Sequence, residues 1–490
     1  MRICPKTEQR ILNWYIPIGL LILNFIIKIF YLNINDIVDD EPFTIFHAQM
    51  DISTIIMELS KGNNPPLFEI ILHYWIKLFG ISEFSVRFLP FLFSVTTVYF
   101  IYKIGLTFFN SRIAILSSLL FTFSTYSAFF SHETRVYPLL TLLTVISMFA
   151  FLHLIKNNKN KLYITILIIS NVLLGYAHYF GFFVMITQML CCLAFKDIRK
   201  PMLKLYLIST VILILLYLPN LPIFLRQFIS SSIKGTWVSP VGFDNLFFLF
   251  KLLCNSLIAV HLFILICLTA LIKRFFGRFE TLPAYNKVIF TWFLFPFLFM
   301  FLISYKHFFY PIPMFIDRYI IFLSPGFYLS ISICIYEIFR KVKFGDIFMS
   351  IPILLTIFYF KPYICNYRDI NGATTKVKEL QTTETLVYIC PAWFDLNFVY
   401  YYDINIFKLA DHEKVRELLA QKQIFPFNYS FEIDMPKLLQ AEQVIYFDAR
   451  ADIGCQGNNI IPTIEELGFY LADSTEYKGE TKIRLFKKTL

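Results

Sequence analysis

Two short motifs in the first ninety or so residues carry residue types able to do chemistry: Asp39-Asp40-Glu41-Pro42 and Asn63-Asn64-Pro65-Pro66-Leu67. A carboxylate within hydrogen-bond reach of an alcohol can take its proton as a general base. The plainer role for the acidic trio is to cap a helix starting at Pro42, where negative charge is favoured. Capping needs one carboxylate, and this segment has three. Asp40 is the candidate base, with Glu41 as its partner or as a metal ligand. Asn64 is a candidate for substrate or metal contact, and the two prolines shape the loop around it.

A base needs a partner of opposite charge if the leaving group is a phosphate, because developing negative charge is stabilised by Arg, Lys or a divalent ion. Arg135 and Arg318 are the candidates, each closing or opening an apolar run with a tyrosine nearby, Tyr137 and Tyr319. Snorkelling to lipid headgroups is the alternative role. Arg87 and Lys306 fit interfacial anchoring at least as well. Tyr137 and Tyr179 could stack on a sugar ring, and His178 stands beside Tyr179. His47, His73, His132, His178 and His307 show no pair with zinc-site spacing.

The elements that must position these residues span a membrane. Of 490 residues, 57% are hydrophobic and only 16% charged, and Phe alone fills 58 positions. Soluble domains carry about 25% charged residues. Apolar runs near the ~20-residue bilayer length recur at 11–32, 88–105, 113–130, 137–155, 162–179, 181–195, 203–221, 246–272, 287–304, 318–339 and 346–360. That makes about eleven spans, the first too long for a signal-peptide core and read as retained. The net charge of +10 therefore says little about nucleic acid, which is not an expected partner. Lys and Arg gather in alternate loops, at 2–10, 103–112, 156–161, 196–204, 273–287 and 340–343. By the positive-inside rule these loops face the cytoplasm. The N-terminus is then cytoplasmic, and the acidic trio, Arg135, His178 and Arg318 all lie at the outer face. Ionisable residues inside a membrane mark function by default. Here they crowd one rim, which favours chemistry at the outer leaflet over conduction through the middle.

Residues 43–60 and 66–79 are apolar but broken by His47, Asp51, Glu58, Glu69, His73 and Lys77, which suits helices lying in the interface plane. After residue 360 the composition changes. Thr385–Cys390 and Gln443–Phe447 read as buried strands, Asp411–Gln421 as a helix capped by Asp411, and Lys482–Lys487 as an edge strand. The expectation is a membrane domain over 1–360, with 33–87 as its first outer loop, and a small α/β domain over 361–490 outside the membrane. Cys365, Cys390 and Cys455 allow at most one disulfide there.

From Asp40 to Phe109 the chain resembles the polyprenyl-phosphate-sugar glycosyltransferases of family 39: the protein O-mannosyltransferases, the lipid A aminoarabinose transferases and the RgtA/B/C/D-like transferases. The matching residues are Asp40-Glu41, Asn64-Pro65-Pro66-Leu67, His73-Tyr74-Trp75, Phe79-Gly80-Ile81-Ser82-Glu83 and Arg87, then Arg135-x-Tyr137, His178-Tyr179 and Arg318-Tyr319 before Pro325. The resemblance reaches to about residue 360. It implies an α-helical polytopic C-type glycosyltransferase fold, a sugar donor on undecaprenyl or dolichyl phosphate, and Asp40 as base. No nucleotide cofactor is expected. Many bacterial members have His before Pro-Pro where this chain has Asn64, a departure at the position to which a metal or phosphate role would be carried over. Glu41 and Asn64 are the candidate ligands for a divalent metal ion if one is used. Direct displacement by one base predicts inversion at the anomeric carbon. The expected setting is the bacterial inner membrane, the expected acceptor a lipid, glycan or protein hydroxyl. A transporter or flippase of lipid-linked glycans is the competing class, but transporters place polar groups at the midplane on repeated, broken helices, and neither signature is present. A polymerase or ligase of surface polysaccharide would lack the early Asp-Glu and Pro-Pro pair.

Overall fold

The computed structural model describes residues 5–62, 64–234, 238–276, 282–307, 312–364, 368–429, 432–455 and 459–488. Asn63, Cys365 and the loop arginine Arg278 lie outside them. The chain forms two compact units: residues 1–31, 56–68 and 87–364 make one, and residues 32–55, 69–86 and 365–490 the other. One boundary between the units falls after residue 364, and residues 32–55 and 69–86 of the first outer loop group with the C-terminal residues.

The first unit is helical. Among the described residues, seven helices are long and apolar enough to cross a bilayer: Thr7–Ile29, Glu83–Phe108, Tyr137–Lys156, Lys196–Ile233, Leu257–Phe276, Ala284–Ser304 and Asp317–Phe339. A bent pair, Ser111–Thr122 with Thr125–Ser131, makes an eighth, and Lys161–Ala177, Gly181–Ala194 and Gly345–Phe358 are shorter apolar helices. These segments fall on the runs legible in the sequence, with one correction. The run 246–272 is two helices, Phe243–Cys254 and Leu257–Phe276. Asn255 divides them, in the left-handed conformation with φ of 64°. Its side chain donates to the carbonyls of Phe123 (2.7 Å) and Thr356 (3.1 Å) and accepts from the Thr125 N–H (2.9 Å). The break at Asn255 thus satisfies backbone groups freed by the bend at 123–125, as any non-helical backbone in a membrane requires.

Close packing and internal hydrogen bonds hold the helices together, since lipid supplies no hydrophobic drive between them. Gly105 lets the helix Glu83–Phe108 lie against Ser111–Thr122, because a Cβ there would sit 2.4 Å from the Cα of Ala114. Asn110 closes that hairpin by accepting from the Ile113 N–H at 3.0 Å. Asn171, Ser147, Gln188 and Tyr206 form a buried network across four helices, with contacts of 2.6 to 3.1 Å.

The second unit is built on a five-stranded sheet, β1 (Thr385–Cys390), β2 (Ile424–Pro426), β3 (Gln443–Ala449), β4 (Phe469–Tyr477) and β5 (Thr481–Lys488), in the order β2-β1-β3-β5-β4. β1 is parallel to β2 and β3, and β5 is antiparallel to β3 and β4. β1 is buried along its whole length, as parallel strands covered on both faces are. Asp411 caps the helix His412–Gln421 as expected, accepting from the Lys414 N–H at 3.2 Å. The expected edge strand is corrected: β5 is internal, and the edge is β4, whose mostly exposed Phe-Tyr-Leu-Ala-Asp-Ser-Thr-Glu-Tyr sequence lacks a clean alternation. The turn joining them places Gly479 at φ of 87°, which a residue without Cβ adopts at no steric cost. Cys390 and Cys455 lie side by side in this unit's core.

The first-loop residues of this unit also depart from the pattern read in sequence. Residues 43–60 are not one helix. Asp40–Ala48 and Ile52–Lys61 are separate, and Leu67–Phe79 follows. Asp51 makes the break, accepting from the Thr54 N–H (3.1 Å) and the Thr54 hydroxyl (2.6 Å), with Ser53 also bonded to it. These bonds hold its carboxyl far below the usual carboxylate range.

Candidate active site

The acidic trio divides into three distinct environments. Asp39 precedes the helix Asp40–Ala48 with φ of 55° and ψ of −115°, a conformation glycine favours and other residues adopt at a cost. Its side chain does not cap the helix. It pairs with Arg368 at 3.1 Å, whose guanidinium also lies 5.4 Å from the Phe394 ring. Glu41 is buried, only 5% exposed, and Asp40 is exposed in the first helical turn. Asp39 and Asp40 are thus both exposed, and Asp40 is the one of the two that lies inside the first turn of the helix.

The helix Asp395–Tyr402 fixes this segment. Asn397 donates to the Asp39 carbonyl at 3.3 Å. The Tyr401 hydroxyl accepts from the Ile37 N–H at 2.5 Å and donates to Glu83 at 2.6 Å. Tyr400 donates to the Ile81 carbonyl at 2.8 Å. Asp36 accepts from the Asn371 N–H at 2.7 Å. Burial, with Asp36 and Glu83 close by, pushes the Tyr401 hydroxyl well above its ordinary range, so it stays a proton donor. None of Arg368, Asn397, Tyr400 or Tyr401 was legible as a site residue, since their partners lie over 300 positions away.

The candidates of the membrane unit converge in part. Arg135 is 8% exposed and its guanidinium lies 6.0 Å from the Tyr137 ring. The Tyr137 and His178 rings are 6.3 Å apart, and the His178 and Tyr319 rings 5.6 Å. Arg135, Tyr137, His178 and Tyr319, from three distant segments, thus form one cluster, and burial of Arg135 argues against snorkelling. Arg318 is half-buried in the short helix Asp317–Ile320 that carries Tyr319. Burial, then the charge of Arg135, lowers His178 to about 3. The ring is neutral at pH 7, and its Nδ1 accepts from the Phe180 N–H at 3.2 Å, which leaves the proton on Nε2. Tyr179 turns elsewhere, its hydroxyl donating to Gln227.

A second buried cationic group surrounds Arg87, which is 2% exposed. His132 donates to the Lys28 carbonyl at 3.1 Å, and burial followed by Lys28 and Arg87 lowers it to about 3. Lys28 itself is fully buried. Its sequence signal was a lone cation in an otherwise apolar run, the pattern that marks function in membranes. Asn64 is half-buried beside buried Pro65. Among the described residues no three His, Cys, Asp or Glu side chains are grouped to hold a metal ion.

Residues 63–223 match the family model described as dolichyl-phosphate-mannose-protein mannosyltransferase. A search of curated proteins found no match. Solved structures share the fold across nearly the whole chain. ArnT from Cupriavidus metallidurans in the apo state has a TM-score of 0.57 at 10% identity, covering 96% of this chain and 97% of that one. The same protein bound to undecaprenyl phosphate gives 0.54 at 10% identity with the same coverage. The Archaeoglobus fulgidus oligosaccharyltransferase, solved with zinc and sulfate, gives 0.53 at 11% identity, covering 94% of this chain and 72% of that one. The chain thus has the fold of ArnT and of the Archaeoglobus fulgidus oligosaccharyltransferase, and its residues 63–223 match the mannosyltransferase family model, in agreement with the resemblance carried by the motifs.

Proposed function

We propose that this chain moves a sugar from a polyprenyl-phosphate donor to an acceptor hydroxyl at the outer face of a bacterial inner membrane, inverting the anomeric centre, with Asp40 as general base. The observation that supports the reading is the placement of the acidic trio: Glu41 is buried, Asp39 pairs with Arg368 ahead of the helix, and Asp40 is exposed in its first turn. Asp40 takes the proton of the attacking hydroxyl as the C1–O bond forms. The bond from C1 to the phosphate oxygen breaks, and the polyprenyl phosphate leaves with that electron pair. The charge developing on the phosphate calls for cations, and Arg135 and Arg318 are the residues assigned to it. His178, held neutral, donates through Nε2 and adds a hydrogen bond without adding charge. Tyr137 and Tyr319 offer ring faces to a sugar. A divalent cation, if one is used, would be held by Glu41 and would supply positive charge to the leaving phosphate. The ArnT structure with undecaprenyl phosphate supports the choice of donor.

The test is Asp40→Asn in the full-length chain, reconstituted in liposomes with undecaprenyl-phosphate sugars and assayed by mass spectrometry. Loss of a general base predicts a rate lower by about 10²–10⁴-fold, with donor binding unchanged. Transfer within threefold of the parent would remove Asp40 from this role.

A further inference from the structure

The second unit contains a cavity of about 860 Å³ that the catalytic reading does not use. It is bounded by the C-terminal end of the helix Asp40–Ala48, the end of Leu67–Phe79 with the loop to Glu83, and the short helix Ile404–Phe407. Its polar lining includes His73, Lys77, Glu83, Tyr400 and Lys408. His73 is 4% exposed and donates from Nδ1 to the Ala48 carbonyl at 2.9 Å, which turns Nε2 away from that bond. Glu83 already accepts from Tyr401. The two lysines are exposed and tip the lining to net positive.

Of the large apolar side chains next in sequence to this lining, Phe79 enters it and others are exposed beside it in the chain. Tyr74, Leu78 and Phe79 are 54%, 76% and 57% exposed on the same helix, and Leu409, next to Lys408, is 46% exposed. Large apolar side chains flanking lysines are the profile of a surface meeting a lipid interface. The cavity thus offers a cationic pocket for a head and an apolar margin for tails. We propose that it binds the phosphate-bearing head of an anionic membrane phospholipid, with Lys77 and Lys408 facing the phosphate and Tyr74, Leu78 and Phe79 against the acyl chains. The site would fasten the second unit to the bilayer surface.

Retention of phosphatidic acid and of phosphatidylcholine by the full-length chain in detergent is the measurement, read by native mass spectrometry. A juxtamembrane lysine is worth roughly fivefold in anionic-lipid affinity, so Lys77→Gln with Lys408→Gln should weaken phosphatidic acid by about 30-fold. Phosphatidylcholine should be retained poorly by parent and variant alike, and Lys77→Arg with Lys408→Arg should restore binding. Both lysines are exposed, so these variants should fold. Retention within threefold in the Gln pair, or equal retention of both lipids by the parent, overturns the proposal. Displacement of the lipid by millimolar inorganic phosphate overturns the lipid part, because a simple anion would then suffice. The readout is binding, so it stands apart from sugar transfer: Asp40→Asn should retain the lipid as the parent does.

Discussion

The conformation of Asp39 makes a quantitative prediction. A non-glycine residue at φ of 55° and ψ of −115° costs about 1–3 kcal/mol. Asp39→Gly removes that strain but loses the Arg368 ion pair and adds unfolded-state freedom. With Asp39 half exposed, the pair is worth at most ~1 kcal/mol, and the added freedom costs about 0.4–1 kcal/mol. Arg368→Gln loses the same pair, and its contact with the Phe394 ring besides, without relieving the strain. The pair cancels in the comparison, and the lost ring contact, about 0.5–1 kcal/mol, offsets the added freedom, so Asp39→Gly should be the more stable variant by about 1–3 kcal/mol, or roughly 1–3 °C in melting midpoint for a chain of 490 residues. Thermal unfolding of both full-length variants in one detergent measures this. Equal midpoints, or a lower one for Asp39→Gly, would refute the strain argument. Both variants should also lose turnover while keeping donor affinity, because the pair orients the entry to the helix that starts at Asp40. Parent-level turnover in Asp39→Gly would show that the pair positions nothing.

Tyr401→Phe leaves the fully buried Ile37 N–H without its acceptor and removes the hydroxyl that donates to Glu83, and should cost about 2 kcal/mol of stability, seen as a lower midpoint; an unchanged midpoint would mean that water replaces the hydroxyl. His178 and His132 titrate near 3 in the folded chain against about 6.5 unfolded. The unfolded chain therefore binds more protons below pH 6.5, and stability present above that value is lost as pH falls toward 3, by up to about 1.4 kcal/mol per pH unit for each histidine. His178→Phe should flatten that decline, and a midpoint equal at pH 7 and pH 5 in the parent would count against it.

Apolar length and loop charge made the membrane unit legible, because a bilayer imposes a fixed span and a charge bias that single segments carry alone. Asp39 to Glu41 stood out for a similar reason: three adjacent carboxylates are more than a helix cap needs. What stayed hidden depends on distant partners. Asn255 breaks a run that is apolar on both sides, and only the backbone at 123–125 explains it. Arg368 and the helix Asp395–Tyr402 gain meaning from residues 37–41 and 81–83, which no local pattern connects. β5 reads as an edge strand until a polar neighbour, β4, pairs with it. Lys28 is a charge inside the first apolar run that the sequence reading passed over, and its burial beside His132 depends on a distant segment.

The hydrogen bond from Asn397 to the Asp39 carbonyl joins residues 358 positions apart in sequence. During synthesis at about 5–20 residues per second, residue 39 waits roughly 20–70 s for its support. A half-made chain already inserted in the membrane has its acidic trio but lacks the brace that shapes it. Activity is thus deferred until translation is nearly complete, and a chain truncated after the last membrane helix should sit in the bilayer inert.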